Sequence, residues 1–169
     1  GIQVKLNSSA AVLDNVVVDT KGPGIMVYGA RTRDVLSMVE GNFVMGSLTS
    51  AGILVGGGPA IVRNNVTVGN RQAGIGLQDY GRRGLLRGVI VIHNTVYGNT
   101  EAGIALLDGS LHEAAVVNNA VHARPGTLAL PAPQLGLRLA GNVDCAGVPC
   151  FVDPTARDFS PLVGGRLVG

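Results

Sequence analysis

Tryptophan is absent from the 169-residue chain, phenylalanine and tyrosine occur three times each, and charged residues make up only 14% of it. An average soluble domain is roughly 25% charged, so most of the polar surface here has to come from Asn, Ser, Thr, Gly and the backbone. The thirteen basic residues against eleven acidic ones leave a net charge of +2 and gather into no run. Without a basic stripe, and with few aromatic platforms for bases to stack on, nucleic acid is not the expected partner. Unbroken apolar stretches never reach the about eighteen residues that a helical membrane span needs, so none is expected. Cysteine appears only at Cys145 and Cys150, in a loop with Gly147 and Pro149, and no His or further Cys stands beside them at metal-site spacing. Such a pair closes a small loop in an oxidising compartment; the alternative is two reduced thiols in a cytosolic loop.

What the chain has in quantity is glycine, at 26 residues, and small aliphatic side chains, which bring the hydrophobic fraction to 46%. That length and composition suffice for one buried core, and β-branched and aliphatic residues suit narrow stacked strands.

The phrase Arg63-Asn64-Asn65-Val66-Thr67-Val68-Gly69-Asn70-Arg71-Gln72-Ala73-Gly74-Ile75 returns as His93-Asn94-Thr95-Val96-Tyr97-Gly98-Asn99-Thr100-Glu101-Ala102-Gly103-Ile104. Gly-Ile pairs or their equivalents start at Gly1, Gly24, Gly52, Gly74 and Gly103, and a second marker runs through Asn15, Asn42, Asn65, Asn94, Asn119 and Asn142. Three residues before each of those asparagines stands an aliphatic residue, from Val12, Val39, Val62, Val91 and Val116 to Leu139, which reads as one core column. Two markers that keep pace define a repeat.

Within a period, alternation puts Ile25 and Val27, Ile75 and Leu77, and Ile104 and Leu106 on one face, with Met26, Gly76 and Ala105 on the other. Glycine interrupts every window long enough for helical spacing. Three short strands per period predict an all-β fold, a right-handed parallel β-helix solenoid of about six coils. The coils occupy residues 1–145, and residues 146–169 are expected to form an irregular C-terminal cap of the same domain. Asparagines stacked coil on coil can each donate to one neighbour and accept from the other, so Asn15 to Asn142 are expected to form a structural ladder. Gly1-Ile2-Gln3-Val4 already reads as a strand, and its open edge calls for N-terminal coils or a partner chain to cover it. With neither Met nor a signal peptide before Gly1, a processed, proteolysed or engineered end is expected there.

These phrases, with Ala102-Gly103-Ile104-Ala105-Leu106 and Ala115-Val116-Val117-Asn118-Asn119, resemble the pectate-lyase-like superfamily of right-handed parallel β-helix repeat proteins over nearly all of residues 1–145. The tail, with Phe151-Val152-Asp153-Pro154 and Asp158-Phe159-Ser160-Pro161-Leu162, resembles the closing segment of many secreted bacterial members. The resemblance implies a secreted or cell-surface protein that meets polysaccharide, and it implies a lyase or a glycoside hydrolase where such a protein is an enzyme. Lyases of this fold use a basic side chain to take the proton beside a uronate carboxylate. This chain has only Lys5 and Lys21, outside any lyase phrase, and lacks the Gly-His-Gly and Arg-Ile-Lys phrases of polygalacturonases.

Spacing locates the candidate surface. From ladder asparagine to the next glycine the distance is nearly constant, whereas from glycine to its own asparagine it varies, so insertions fall on one edge of the solenoid. That edge gathers Tyr28, Arg31, Arg33, Asp34, Gln78, Asp79, Tyr80, Arg82, Arg83, Arg87, Asp108, His112 and Glu113. Asp79 and Asp108 each follow their glycine by five residues, which predicts a carboxylate pair that can act as acid and nucleophile or bind Ca²⁺; no other cofactor is called for. Asp79, Asp108 and Arg82 are the candidate catalytic groups, and Tyr28, Arg31, Gln78, Tyr80, Arg83 and His112 the candidate substrate contacts. The competing reading makes the aspartates turn residues and the arginines solvated loop residues. His93 and His122 stand apart from any set of Cys or carboxylates, and Asn65-Val66-Thr67, though a glycosylation sequon, coincides with the ladder. Two functions remain open: a solenoid that binds or cleaves polysaccharide along the inserted edge, or a structural or adhesive solenoid without catalysis, an incomplete piece of a longer enzyme included. Scarce aromatics weigh against the first, because sugar rings stack on them. One-sided insertions weigh against the second.

Overall fold

The computed structural model describes residues 1–5, 8–28, 36–79, 86–124, 126–131 and 134–167. Three parallel sheets wrap around one core, each six strands deep, so five turns of chain separate the first strand of a sheet from its last. The coil is right-handed, as parallel crossovers almost always are. The first sheet stacks Ile2–Val4, Ile25–Val27, Ile53–Val55, Ile75–Gln78, Ala102–Asp108 and Gly126–Ala129. The second stacks Ala11–Leu13, Ser37–Glu40, Ala60–Arg63, Val89–Ile92, Ala115–Val117 and Arg138–Ala140. The third stacks Val16–Val18, Phe43–Met45, Val66–Val68, Thr95–Asn99, Ala120–Ala123 and Val143–Asp144.

The repeat markers become columns. Ile2, Ile25, Ile53, Ile75, Ile104 and Leu128 lie opposite one another along the first sheet, and the four from Ile25 to Ile104 are fully buried. Each such side chain contributes about 1.5–3 kcal/mol by leaving water. The column from Val12 through Val116 is buried as the spacing predicts, while Leu139, in the last coil with no strand above it, is 50% exposed. Its register holds and its cover is missing.

The asparagine ladder occupies the tight corner between the second and third sheets. The four inner rungs share one geometry: Asn65 donates from Nδ2 to Asn94 Oδ1 at 2.9 Å, and to the carbonyls of Val39 and Arg63 at 2.9 Å. Its own Oδ1 accepts from the backbone and side chain of Asn42. The residue before every rung adopts a left-handed backbone, and the six are Asp14, Gly41, Asn64, His93, Asn118 and Gly141, with φ between 53° and 67°. Glycine, Asn, Asp and His are the residue types that tolerate this region best. The corner thus selects its residues twice, once for the amide and once for the backbone.

A second ladder stands five residues on, at the corner from third sheet to first. Ser47 N donates to Asn70 Oδ1 at 3.0 Å, and Asn70 donates from its backbone and Nδ2 to Asn99 Oδ1 at 2.9 and 2.8 Å.

The C-terminal segment turns back along the outside of the third sheet. A disulfide joins Cys145 to Cys150, and Phe151–Asp153 then pairs antiparallel with Asp158–Pro161. Between these strands Asp153 caps a single 3₁₀ turn, its Oδ1 accepting from Thr155 and Ala156. Phe151 and Phe159 pack on Tyr97, which belongs to the fourth coil, at ring-centroid distances of 6.2 and 5.5 Å. The segment is therefore a strap laid across the upper coils.

Candidate functional site

The inserted edge lies between the first and second sheets. Arg31, Tyr80, Arg82 and Arg83, with Arg33 and Asp34, fall outside the described residues. Tyr28, Gln78, Asp79, Arg87, Asp108, His112 and Glu113 are described, and all belong to this edge.

A bulge sets the geometry of the site. Counting from the glycines predicts Asp79 opposite Asp108, but the strands pair Leu77 with Leu106 and Gln78 with Asp108, leaving Leu107 as an extra residue. The Leu107 side chain lies over Gly76 on the neighbouring coil: a Cβ there would meet Leu107 Cδ1 at 2.9 Å and Leu54 Cδ1 at 3.2 Å. Leu107 packs with Ala51, Ala73, Ala102 and Ala105 on this outer face. The expected one-to-one register of the two aspartates is corrected by one position, and Gln78 becomes the cross-strand neighbour of Asp108.

Asp79 instead sits beneath Gly109. Its backbone N–H donates to the Asp108 carbonyl at 3.0 Å, and a Cβ on Gly109 would overlap the Asp79 Cβ. Gly109 also has φ of 85°, so backbone and space both demand glycine. Asp79 is 5% exposed. Asp108, at the end of its strand, uses Oδ1 to accept from Gly109 N at 2.9 Å.

The turn that follows carries two further polar side chains. Ser110 Oγ lies 3.2 Å from His112 Nε2, and the His112 backbone is held by Leu86 O at 3.0 Å and Gly88 N at 3.1 Å. His112 bridges Arg87 below and Leu135 above in the stack, while Leu111 is fully buried and its N–H donates to Gln134 Oε1 at 2.7 Å. His112 Nδ1 is buried with no hydrogen-bond partner.

Tyr28 is anchored by its backbone to Val4 O at 2.9 Å and is half-buried at the start of the second coil's insertion. Among the described residues no group of three or more His, Cys, Asp or Glu is placed to hold a metal. Asp79 and Asp108 alone fall short of the six to eight oxygens that Ca²⁺ gathers.

The remaining histidines are elsewhere. His93 is an exposed left-handed corner residue whose Nε2 lies 3.3 Å from Asn118 Nδ2. His122 stacks on Tyr97 under the strap, with centroids 4.5 Å apart. Asn65 is fully buried, so the sequon it heads is unavailable to a glycosylating enzyme. Ser110, the Leu107 bulge and the second ladder escaped the sequence reading. The last had a visible signal, since Asn70 and Asn99 each follow a ladder asparagine by five residues.

The family model for right-handed beta helix regions matches residues 1–130, and the chain belongs to that family. No curated protein matched the chain, and no solved structure did. The family fixes the solenoid and leaves the chemistry of the edge to be argued from its residues.

Proposed function

We propose that the protein engages a polysaccharide along the inserted edge, and that the ground around Asp79 is where a glycosidic chain is gripped or cleaved. The observation that carries this reading is the seat of Asp79: a carboxylate-bearing residue almost wholly buried at a strand end, held beneath a glycine that alone can accommodate it. Burial and the glycine above it fix where this residue stands against the neighbouring coil, at the base of the inserted loops. On the coil above, Asp108 and the turn that follows it carry a carboxylate and the Ser110 hydroxyl, the latter 3.2 Å from the His112 imidazole, donors and acceptors suited to sugar hydroxyls. In a cleaving enzyme Asp79 and Asp108 would share acid and nucleophile or base roles, with Arg82 and Arg83 meeting acidic groups on the substrate. Ca²⁺ between the two aspartates would require further oxygens from substrate or water. The disulfide agrees with a secreted or cell-surface setting.

The test is product release and binding on a panel of neutral and acidic polysaccharides, following reducing ends and unsaturated uronate absorbance, with Asp79→Asn and Arg82→Ala beside the parent. Activity or binding lost in these variants, with the melting temperature unchanged, supports the reading. Binding and cleavage absent across the panel, or indifferent to both variants, overturns it in favour of a solenoid that only displays surface.

A further inference from the structure

The outward side chains of the third sheet form two columns. Val16, Phe43 and Val66 continue upward into Thr95 and Ala120, and Val18, Met45 and Val68 continue into Tyr97 and His122. In the upper coils this face has a cover, because Phe151, Phe159 and Leu167 of the strap cluster with Tyr97, Ala120 and Val143. In the first three coils the same face joins none of the described hydrophobic clusters. Val16 and Val18 are 73% and 40% exposed there, and Phe43, Met45, Val66 and Val68 are half-buried.

The chain has three phenylalanines, and two of them, Phe151 and Phe159, fasten the strap to this face through Tyr97. The third, Phe43, stands on the bare part of the same face. Apolar side chains scattered singly over a surface need no explanation, whereas six side by side in two columns, an aromatic ring among them, mark an interaction surface. The bare patch continues the strap's own seat, since Tyr97 lies in one column with Val68, Met45 and Val18.

Charge at the rim selects the partner. None of the six positions is charged, so two copies of the face can meet without opposing like charges. The flanks are unequal: the first coil has exposed Asp14 and Asp19 on either side of its strand, and the third coil has exposed Arg71 three residues past its strand. Among the described residues none of these three is in an ion pair. A two-fold axis along the second coil's strand lays the first coil of each copy over the third coil of the other, and brings the acidic flank toward the partner copy's basic one. That order also carries each strap clear of the overlap, whereas coils facing in the same order would drive the two straps together.

We propose that the outer face of the third sheet, over the first three coils, is a self-association surface on which a second copy of this chain seats in reversed coil order. Six such side chains on coils about 4.8 Å apart expose at most roughly a few hundred Å², below the about 800 Å² per partner of a standard interface. The dimer is therefore weak and reversible. The inserted edge, between the first and second sheets, stays outside it, so the assignment does not depend on the polysaccharide reading.

The experiment is sedimentation equilibrium of the parent from about 10 µM to about 1 mM, beside Phe43→Ser, Val16→Ser, Asp19→Lys and the double variant Asp19→Lys with Arg71→Asp. A reversible monomer–dimer equilibrium, weakened about tenfold or more by Phe43→Ser and by Val16→Ser because symmetry removes each side chain twice, is the expected result. Val16 is mostly exposed, so its variant keeps the test open where Phe43→Ser fails to fold. Asp19→Lys alone should weaken the dimer, and adding Arg71→Asp should restore it. A monomer at every concentration, a dimer indifferent to Val16→Ser, or a charge reversal that the second substitution does not rescue would each overturn the assignment.

Discussion

Asp79 occupies space that any side chain on Gly109 would need. The two residues lie on adjacent coils, and the clash is between their Cβ positions. Gly109→Ala is therefore expected to push Asp79 out of its seat and to strain a backbone with φ of 85°. About 1–3 kcal/mol of stability should be lost, read by thermal unfolding. Any polysaccharide binding should fall in parallel. Unchanged melting and binding would show that the seat is soft and that Asp79 is not fixed by it.

The ladder is expected to be strongest in its middle. Asn65→Ala removes an acceptor from Asn42 and a donor from Asn94, Val39 and Arg63, all in the interior. With about 1–3 kcal/mol for each buried group left unpaired, the loss should reach about 3 kcal/mol or more. Asn15→Ala, at the half-buried end of the ladder, deprives Asn42 of one donor and should cost markedly less. Chemical denaturation of the two variants side by side checks the ranking.

Opening the Cys145–Cys150 bridge should loosen the strap and spare the coils. By loop-closure entropy a ring this small is worth about 2 kcal/mol. Cys145→Ser with Cys150→Ser is expected to lower the melting temperature and to weaken the near-ultraviolet tyrosine signal, because Tyr97 loses Phe151 and Phe159. The far-ultraviolet β signal should stay. If it collapses as well, the strap is needed to form the upper coils at all.

Acid should remove the contribution of the Glu40–Arg63 pair. The hydrogen bond from Arg63 at 2.8 Å, with that guanidinium's charge and a weaker contact from Asn64, holds the Glu40 carboxyl below its ordinary value. A carboxyl depressed in the folded state adds stability above its unfolded value and loses it as pH falls through the folded one. Glu40→Gln should thus be less stable than the parent at neutral pH and equal to it once Glu40 is protonated. A gap that persists or widens in acid would place its origin elsewhere, in packing for instance.

The solenoid was legible because its rules are local and repeated: one inward isoleucine after each glycine, and one amide per corner. Even the side chosen by the insertions could be read from unequal spacings. The alignment of Asp79 with Asp108 could not, because counting residues from Gly74 and Gly103 assumes that strands pair one to one. Leu107 breaks that count, and its packing over Gly76 on the neighbouring coil is visible only in three dimensions. His93, which directly precedes a ladder asparagine, is an exposed left-handed corner residue. That Arg166, 73 positions later, would arrive beside it depended on the return path of the strap, which no periodicity encodes.

That return path also alters how the molecule comes apart. In a plain stack each coil touches only its neighbours, and unfolding can peel from either end one layer at a time. Here Phe159 follows the last coil in sequence yet rests on Tyr97 two coils earlier, so the fourth, fifth and sixth layers cannot be lost singly. They should open as one cooperative block, and amide hydrogens in those layers should exchange together while the first three layers fray by degrees.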